Sequence, residues 1–274
     1  MPTFKLTMAY DGTDFAGWQW QPNKRTVQGE LEATLAQIVQ EPVKCLASGR
    51  TDAGVHALGQ VVSFDANTRH SGDALCKALN AELPDDMLVF EAVEVPGWFQ
   101  AMQNAIGKRY RYVVQDGRLP DIFARKYVWH IRRRLDVEAM QAAAEGLIGT
   151  HDFKSYQTTG SSRLNTVRTV FDIFVQRQQA ELTDRVTIEV AADGFLFNMV
   201  RNIAGTLVEV GKGKQPIGWP AEVLTKRDRR EAGVTAPPQG LFLVGVDYLP
   251  LDQYQVRDEG LNPQPPPDED APLE

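Results

Sequence analysis

Asp52 lies in the run Gly49-Arg50-Thr51-Asp52-Ala53-Gly54-Val55-His56-Ala57-Leu58-Gly59, which sets one carboxylate, one arginine and one histidine among three glycines. A carboxylate in such a loop can serve as a nucleophile, as a metal ligand or as a plain turn cap. His56 follows Asp52 by four residues, a ligand spacing only if the segment were helical, and the glycines argue against a helix. No metal site is therefore expected. Residues 43–47 and 60–64 on either side read as short strands. Strands of that kind need only a two-residue turn to join them. A longer polar loop between two rigid elements is a common seat of function.

Two further stretches carry chemistry-bearing residues. Residues 196–210 read as a helix with apolar surface almost all round, so it should be buried. Arg201 sits on it. A buried guanidinium needs an anion or several acceptors, because leaving it unpaired is expensive. If a carboxylate such as Asp52 meets it, the acid's pKa should fall and the carboxylate stay ionised. The alternatives are that Arg201 reaches solvent or binds a phosphate. Lys108-Arg109-Tyr110-Arg111-Tyr112 interleaves bases with aromatics on a strand. Alternation places Lys108, Tyr110 and Tyr112 on one face, with Arg109 and Arg111 on the other. Such a strand is either an edge strand with a solvated basic face or a nucleic-acid surface, with bases on phosphates and a ring stacked on a nucleobase. Gly211-Lys212-Gly213-Lys214 fails as a phosphate loop, because Gly205 is too far upstream and no Ser or Thr follows the lysine. A glycosidase would need a second carboxylate facing Asp52, and none is evident.

The elements that must position these residues follow from periodicity. Phe4, Leu6, Met8 and Tyr10 alternate as a half-buried strand. Thr26 caps a helix with Val27, Leu31, Leu35 and Ile38 on one face. After the strands at 43–47 and 60–64 come a helix over 73–83 and a strand over 87–95. The order β-α-β-β-α-β is ferredoxin-like. Residues 110–115 add a strand, and turn signals at 117–120 suggest a boundary. The second half repeats the pattern: strand 126–131, helix 136–148, strands 166–176 and 186–190, helices 196–210 and 220–229, strand 241–249. The fold class is α+β: two ferredoxin-like halves, residues 1–118 and 119–250, sharing one broad, mainly antiparallel sheet with helices packed on it.

With 274 residues, 43% hydrophobic and 24% charged, the chain is of globular composition. It has no apolar run long enough to span a membrane. Met1-Pro2-Thr3-Phe4-Lys5 does not open as a signal peptide, and a cytoplasmic location is the expectation. Two cysteines do not make a disulfide scaffold. Of the net charge of −7, residues 251–274 contribute −6, with seven acids against Arg257. The nearly neutral remainder carries basic clusters at 108–111, 132–134 and 226–230, so a polyanionic partner is not excluded by the acidic total. The tail, acidic and Pro-rich, lacks the apolar content to fold.

The chain resembles the TruA-type tRNA pseudouridine synthases. The resemblance rests on Tyr10-Asp11-Gly12-Thr13 with Phe15-Ala16-Gly17-Trp18-Gln19; Thr26-Val27-Gln28-Gly29; Gly49 through His56; Leu79-Asn80 with Leu83-Pro84; Lys108, Tyr110 and Tyr112; Gly149-Thr150-His151-Asp152-Phe153; Phe195-Leu196 with Met199-Val200-Arg201 and Gly205; and Ala236-Pro237-Pro238 with Gly240-Leu241. Single pieces are weak, but their joint order and spacing are specific. The resemblance implies an isomerase acting on uridines 38 to 40 of the tRNA anticodon arm after flipping the base, a homodimer, and no metal or organic cofactor. It implies Asp52 as nucleophile, Tyr110 stacking on uracil with proton transfer as a second role, and Arg201 paired with Asp52. Arg50 would help evert the base and Val200 would wall the pocket. Lys108 and Arg109 are the further candidate RNA-binding residues. One departure stands out: Met102 occupies a place where the family usually has an arginine. A methionine cannot hold a phosphate, so the RNA would go unheld there or be held by a neighbour such as Arg109. The alternative function is a non-catalytic tRNA-binding or tRNA-folding protein, which would not need Asp52, Tyr110 and Arg201 together.

Overall fold

A computed structural model describes residues 1–160, 165–180 and 183–253. The expectation for the acidic tail falls, from residue 254 onward, outside the described residues. Among these residues ten strands form one sheet: β1 (Thr3–Tyr10), β2 (Leu46–Ala47), β3 (His56–Asp65), β4 (Met87–Val95), β5 (Ala105–Asp116), β6 (Trp129–Ile131), β7 (Gly149–Asp152), β8 (Val167–Gln178), β9 (Arg185–Ala192) and β10 (Leu241–Tyr248). Five α-helices pack on it: α1 (Val27–Val39), α2 (Gly72–Glu82), α3 (Val137–Glu145), α4 (Met199–Gly211) and α5 (Trp219–Lys226).

The strands run in the order β4-β1-β3-β10-β5-β9-β8-β7, with β2 on β3 and β6 on β5. All pairings are antiparallel except β10 with β3 and β5 with β6. The sequence β4-β1-β3-β2 is the ferredoxin-like strand order, and β10-β5-β9-β8 repeats it. By that order β5 opens the second repeat, although it precedes the turn at Gly117. The two halves meet where β10 lies parallel to the start of β3, pairing Phe242 with His56 and Leu243 with Ala57. The strand carrying Tyr110 is thus central, which excludes the edge-strand reading.

The elements form for the reasons the pattern suggests. Phe4, Leu6, Met8 and Tyr10 are all buried on one side of β1. The Thr26 hydroxyl accepts from the Gly29 amide at 3.2 Å and starts α1, a cap worth about 1 kcal/mol. Ser71 and Asp136 cap α2 and α3 in the same way. One continuous core joins the inward strand residues to the buried faces of all five helices. No helix among the described residues is long and apolar enough to cross a membrane.

Several boundaries differ from expectation, β3 already starting at His56 and β7 being an added strand, and three of the differences have a local cause. Residues 43–47 contribute only the two-residue β2, because α1 takes the Cys45 backbone. The Cys45 amide donates to Glu32 Oε1 at 2.9 Å, and Gln28 Nε2 donates to the Cys45 carbonyl at 3.3 Å. Residues 126 and 127 turn instead of extending, since Asp121 Oδ1 accepts from the Phe123 and Ala124 amides and folds the segment ahead of β6. Helix α4 starts at Met199 and not at Leu196, because Asn198 adopts a left-handed conformation with φ of 58°.

Candidate active site

The loop between β2 and β3 is shaped by its neighbours as much as by its own glycines. Gly17, at φ of 97°, backs onto the Thr51 carbonyl. At Gly12 a Cβ would fall 1.9 Å from the Val55 carbonyl oxygen, so only glycine fits. The Trp18 amide donates to the Thr51 carbonyl at 2.9 Å. Pro238, after the Ala236-Pro237 turn, lies against Gly54.

This packing leaves the Asp52 side chain half-buried at the surface, 42% exposed. Among the described residues its carboxylate makes no hydrogen bond to the loop backbone, so it is not a turn cap. Its charged neighbour is Arg201, whose guanidinium approaches Asp52 Oδ2 at 3.7 Å. Arg201 stands in the first turn of α4 and is held by other acceptors: Nε donates to the Ala236 carbonyl at 2.6 Å and NH1 to Asn198 Oδ1 at 2.8 Å. The late start of α4 is what turns Asn198 onto it. The largely covered arginine thus found both an anion and neutral acceptors.

The electrostatics correct one expectation. Burial raises the Asp52 pKa, and the Arg201 charge offsets only part of that rise. The net shift is upward, opposite to the sequence-based sign, because partial desolvation of the carboxylate outweighs a guanidinium 3.7 Å away. Burial likewise lowers the Arg201 pKa, with Asp52 opposing.

Tyr110, on β5, lies near Asp52 and is 8% exposed. Phe195 meets it edge-on, with ring centroids 5.0 Å apart, an arrangement worth about 0.5–1.5 kcal/mol that also fixes the ring plane. Among the described residues the Tyr110 hydroxyl forms no hydrogen bond. Burial, then the nearby Tyr10 and Asp52, push its pKa above the ordinary phenol value. Its phenol is therefore protonated at neutral pH.

The other predicted site residues separate into near and far. Val200 is buried next to Arg201, and Arg50 is exposed beside Asp52. Lys108 donates to the Ser48 carbonyl at 2.5 Å, at the foot of the loop. Arg109 is not brought to the site. Strand alternation turns it to the opposite face, where it makes a bidentate pair with Asp172 at 2.7 and 2.9 Å. Arg109 is thus engaged by an acid of β8, and Met102 is exposed. Sequence reasoning missed Phe195 and Asn198 as individual site residues, and it missed the Ala236 carbonyl, which no side-chain pattern could reveal.

His56 faces away from Asp52. It is buried, accepts from the Gly12 amide at Nδ1 (3.0 Å) and donates from Nε2 to the Lys126 carbonyl (3.2 Å). That pattern assigns the neutral tautomer, so the Asp11 carboxylate 3.1 Å from Nδ1 is a neighbour and not an ion-pair partner. Phe242 stacks on the ring at 4.7 Å. Burial lowers the His56 pKa, and Asp11 and the Lys126 and Gln239 backbones restore it only in part. An unfolded histidine titrates near about 6.5. Below that pH the unfolded chain takes up a proton that the folded chain refuses, so stability is lost as pH falls from there toward the folded pKa. Thermal melts of wild type and His56→Gln should therefore show a wild-type advantage near neutrality that shrinks on acidification. A pH-independent difference would contradict the buried neutral ring.

Comparison with known proteins places this site in context. A family model described as tRNA pseudouridine synthase matches residues 6–101 and 143–249. A protein of Halalkalibacterium halodurans named tRNA pseudouridine synthase A is 48% identical over 88% of this chain and 91% of its own length. Proteins of the same name from Exiguobacterium sp. and Thermoanaerobacter sp. are 45% and 42% identical over 92% and 90% of this chain, and over 100% of each relative. A chain in the crystal structure of a Cbf5-Nop10-Gar1 complex is 15% identical with a TM-score of 0.29, covering 74% of this chain and 54% of that one, a likeness too weak to inform the fold.

Proposed function

The chain belongs to the tRNA pseudouridine synthase family, whose members are isomerases, and from that premise we propose that it converts uridines 38, 39 and 40 of the tRNA anticodon arm to pseudouridine, with Asp52 as nucleophile and the target base flipped from its stack. The observation that carries the reading is that Asp52, Arg201 and Tyr110 come together from a loop, a helix and a strand far apart in the chain. The flipped uracil stacks on Tyr110. Asp52 drives rupture of the bond between ribose C1′ and uracil N1, either at C1′ with a covalent or glycal intermediate or through attack on uracil C6. The base turns, C5 bonds to C1′, C5 gives up its proton, and N1 gains one. Product and substrate are isomers, so the reaction consumes no cofactor.

Arg201 balances the charge on Asp52. Arg50, exposed beside the nucleophile, is placed to take the space or the phosphate of the everted nucleotide. The reading carries with it a homodimer and a cytoplasmic site of action. Phe171 and Phe174, exposed on β8, supply apolar surface for a subunit interface.

The test is tritium release from tRNA carrying 5-tritiated uridine, with mapping of the modified positions. Release confined to positions 38 to 40 is the expected result. tRNA binding without release would favour the non-catalytic tRNA-binding alternative, and release at other positions would overturn the anticodon-arm assignment.

A further inference from the structure

Beneath Asp52 lies a buried polar cluster that the reaction itself does not use. Gln60, on β3, is wholly buried. Its amide is fully engaged: Nε2 donates to the Gly49 carbonyl at 2.8 Å and to the Tyr10 hydroxyl at 3.3 Å, while Oε1 accepts from Ser48 Oγ at 2.8 Å. The Tyr10 hydroxyl, accepting from Gln60, also shares a hydrogen bond with Thr51 Oγ1, 2.8 Å away. Burial pushes the Tyr10 pKa up to about 12, so this phenol stays protonated. Lys108 reaches the same segment from β5 through the Ser48 carbonyl. Residues 48, 49 and 51, the run that leads into Asp52, are thus each gripped by a side chain from β1, β3 or β5.

We propose that Gln60 is a positioning residue for the nucleophile, acting through Gly49, Ser48 and the Tyr10–Thr51 pair to fix the approach of Asp52 to its substrate. This rests on the reading of Asp52 given above and extends it to residues that never touch RNA. A loop with glycine on both sides of its acid has many conformations open to it. A carboxylate displaced by about 1 Å loses on the order of 10²-fold in rate. Gln60 spends its amide on the loop that carries the acid, at Ser48 and Gly49, and on the Tyr10 hydroxyl, which itself pairs with Thr51 of that loop.

Three variants test it: Gln60→Met, which keeps the length and removes the amide, and the milder Tyr10→Phe and Thr51→Val. Two readouts are taken well below the melting temperature. Amide hydrogen exchange over residues 48–54 should quicken at least about tenfold in Gln60→Met while β3 stays protected. Single-turnover tritium release should fall about 10- to 100-fold in Gln60→Met, with tRNA affinity within about twofold of wild type. Tyr10→Phe and Thr51→Val should each slow release about tenfold, and the double variant should be no slower than the worse single one, since both remove the same hydrogen bond. Unchanged loop exchange, or faster exchange with full activity, overturns the proposal. So does a parallel loss of rate and affinity. If wild-type protein releases no tritium at all, the reading of Asp52 fails, and the loop exchange still decides whether Gln60 holds the loop.

Discussion

Asp52→Asn should lower tritium release at least about 10⁴-fold while tRNA binding persists and the protein melts no lower than wild type. The rate loss follows from the role: an amide of the same shape cannot act as the nucleophile. The stability half follows from the electrostatics. The Asp52 pKa is raised by burial beyond what Arg201 recovers. An acid whose folded pKa exceeds its unfolded value keeps its proton longer in the folded chain, so at neutral pH its ionised form is held at a cost to folding. Asparagine removes that cost. It also breaks no hydrogen bond to the loop, because among the described residues the Asp52 side chain makes none, and Arg201 keeps the Ala236 carbonyl and Asn198. A release rate within tenfold of wild type would remove Asp52 from the chemistry. A melting temperature several degrees lower would return it to the role of a structural cap.

The site was legible in sequence wherever a residue type conflicted with its surroundings. Arg201 on an apolar helix required a partner, and the Lys108–Tyr112 run separated Tyr110 from Arg109 by strand alternation alone. What stayed hidden was non-local. The Ala236 carbonyl that anchors Arg201 is a backbone atom and leaves no compositional trace. Asp172, which draws Arg109 to the far face, is 63 residues away. Gln60 was visible as a polar residue in an apolar strand, yet its partner Tyr10 lies 50 residues upstream. The sign of the Asp52 shift failed for a related reason: pairing with an arginine can be guessed from sequence, whereas how far the fold desolvates the carboxylate depends on packing. The fold followed the same division. Hydrophobic periodicity gave the helices and the repeated β-α-β-β-α-β order, while the shortening of β2 came from side chains of α1 capturing the Cys45 backbone.

Arg201→Gln should reduce turnover about 10²- to 10³-fold, the cost of losing one preorganised charged donor, and should move the acid limb of the pH–rate profile to higher pH. In wild type two influences act on Asp52: burial raises its pKa and Arg201 lowers it. With the guanidinium gone only the raising influence remains, and the carboxylate needed for attack forms at higher pH. Part of the lost rate should therefore return on alkalinisation, whereas Asp52→Asn should stay inactive throughout. Arg201→Lys separates charge from geometry. It keeps a cation near Asp52, so its limb should lie between those of wild type and Arg201→Gln, but it loses the fork that joins Asn198, Ala236 and Asp52. If the limb of Arg201→Gln coincides with that of wild type while the rate falls, Arg201 serves to hold the 236–240 turn against Gly54 and does not set the ionisation of the nucleophile. The 3.7 Å separation makes this a fair contest. At that distance the interaction is mainly the field of a charge rather than a strong hydrogen bond, and a field should appear in the pH profile even where it adds little to the melting temperature.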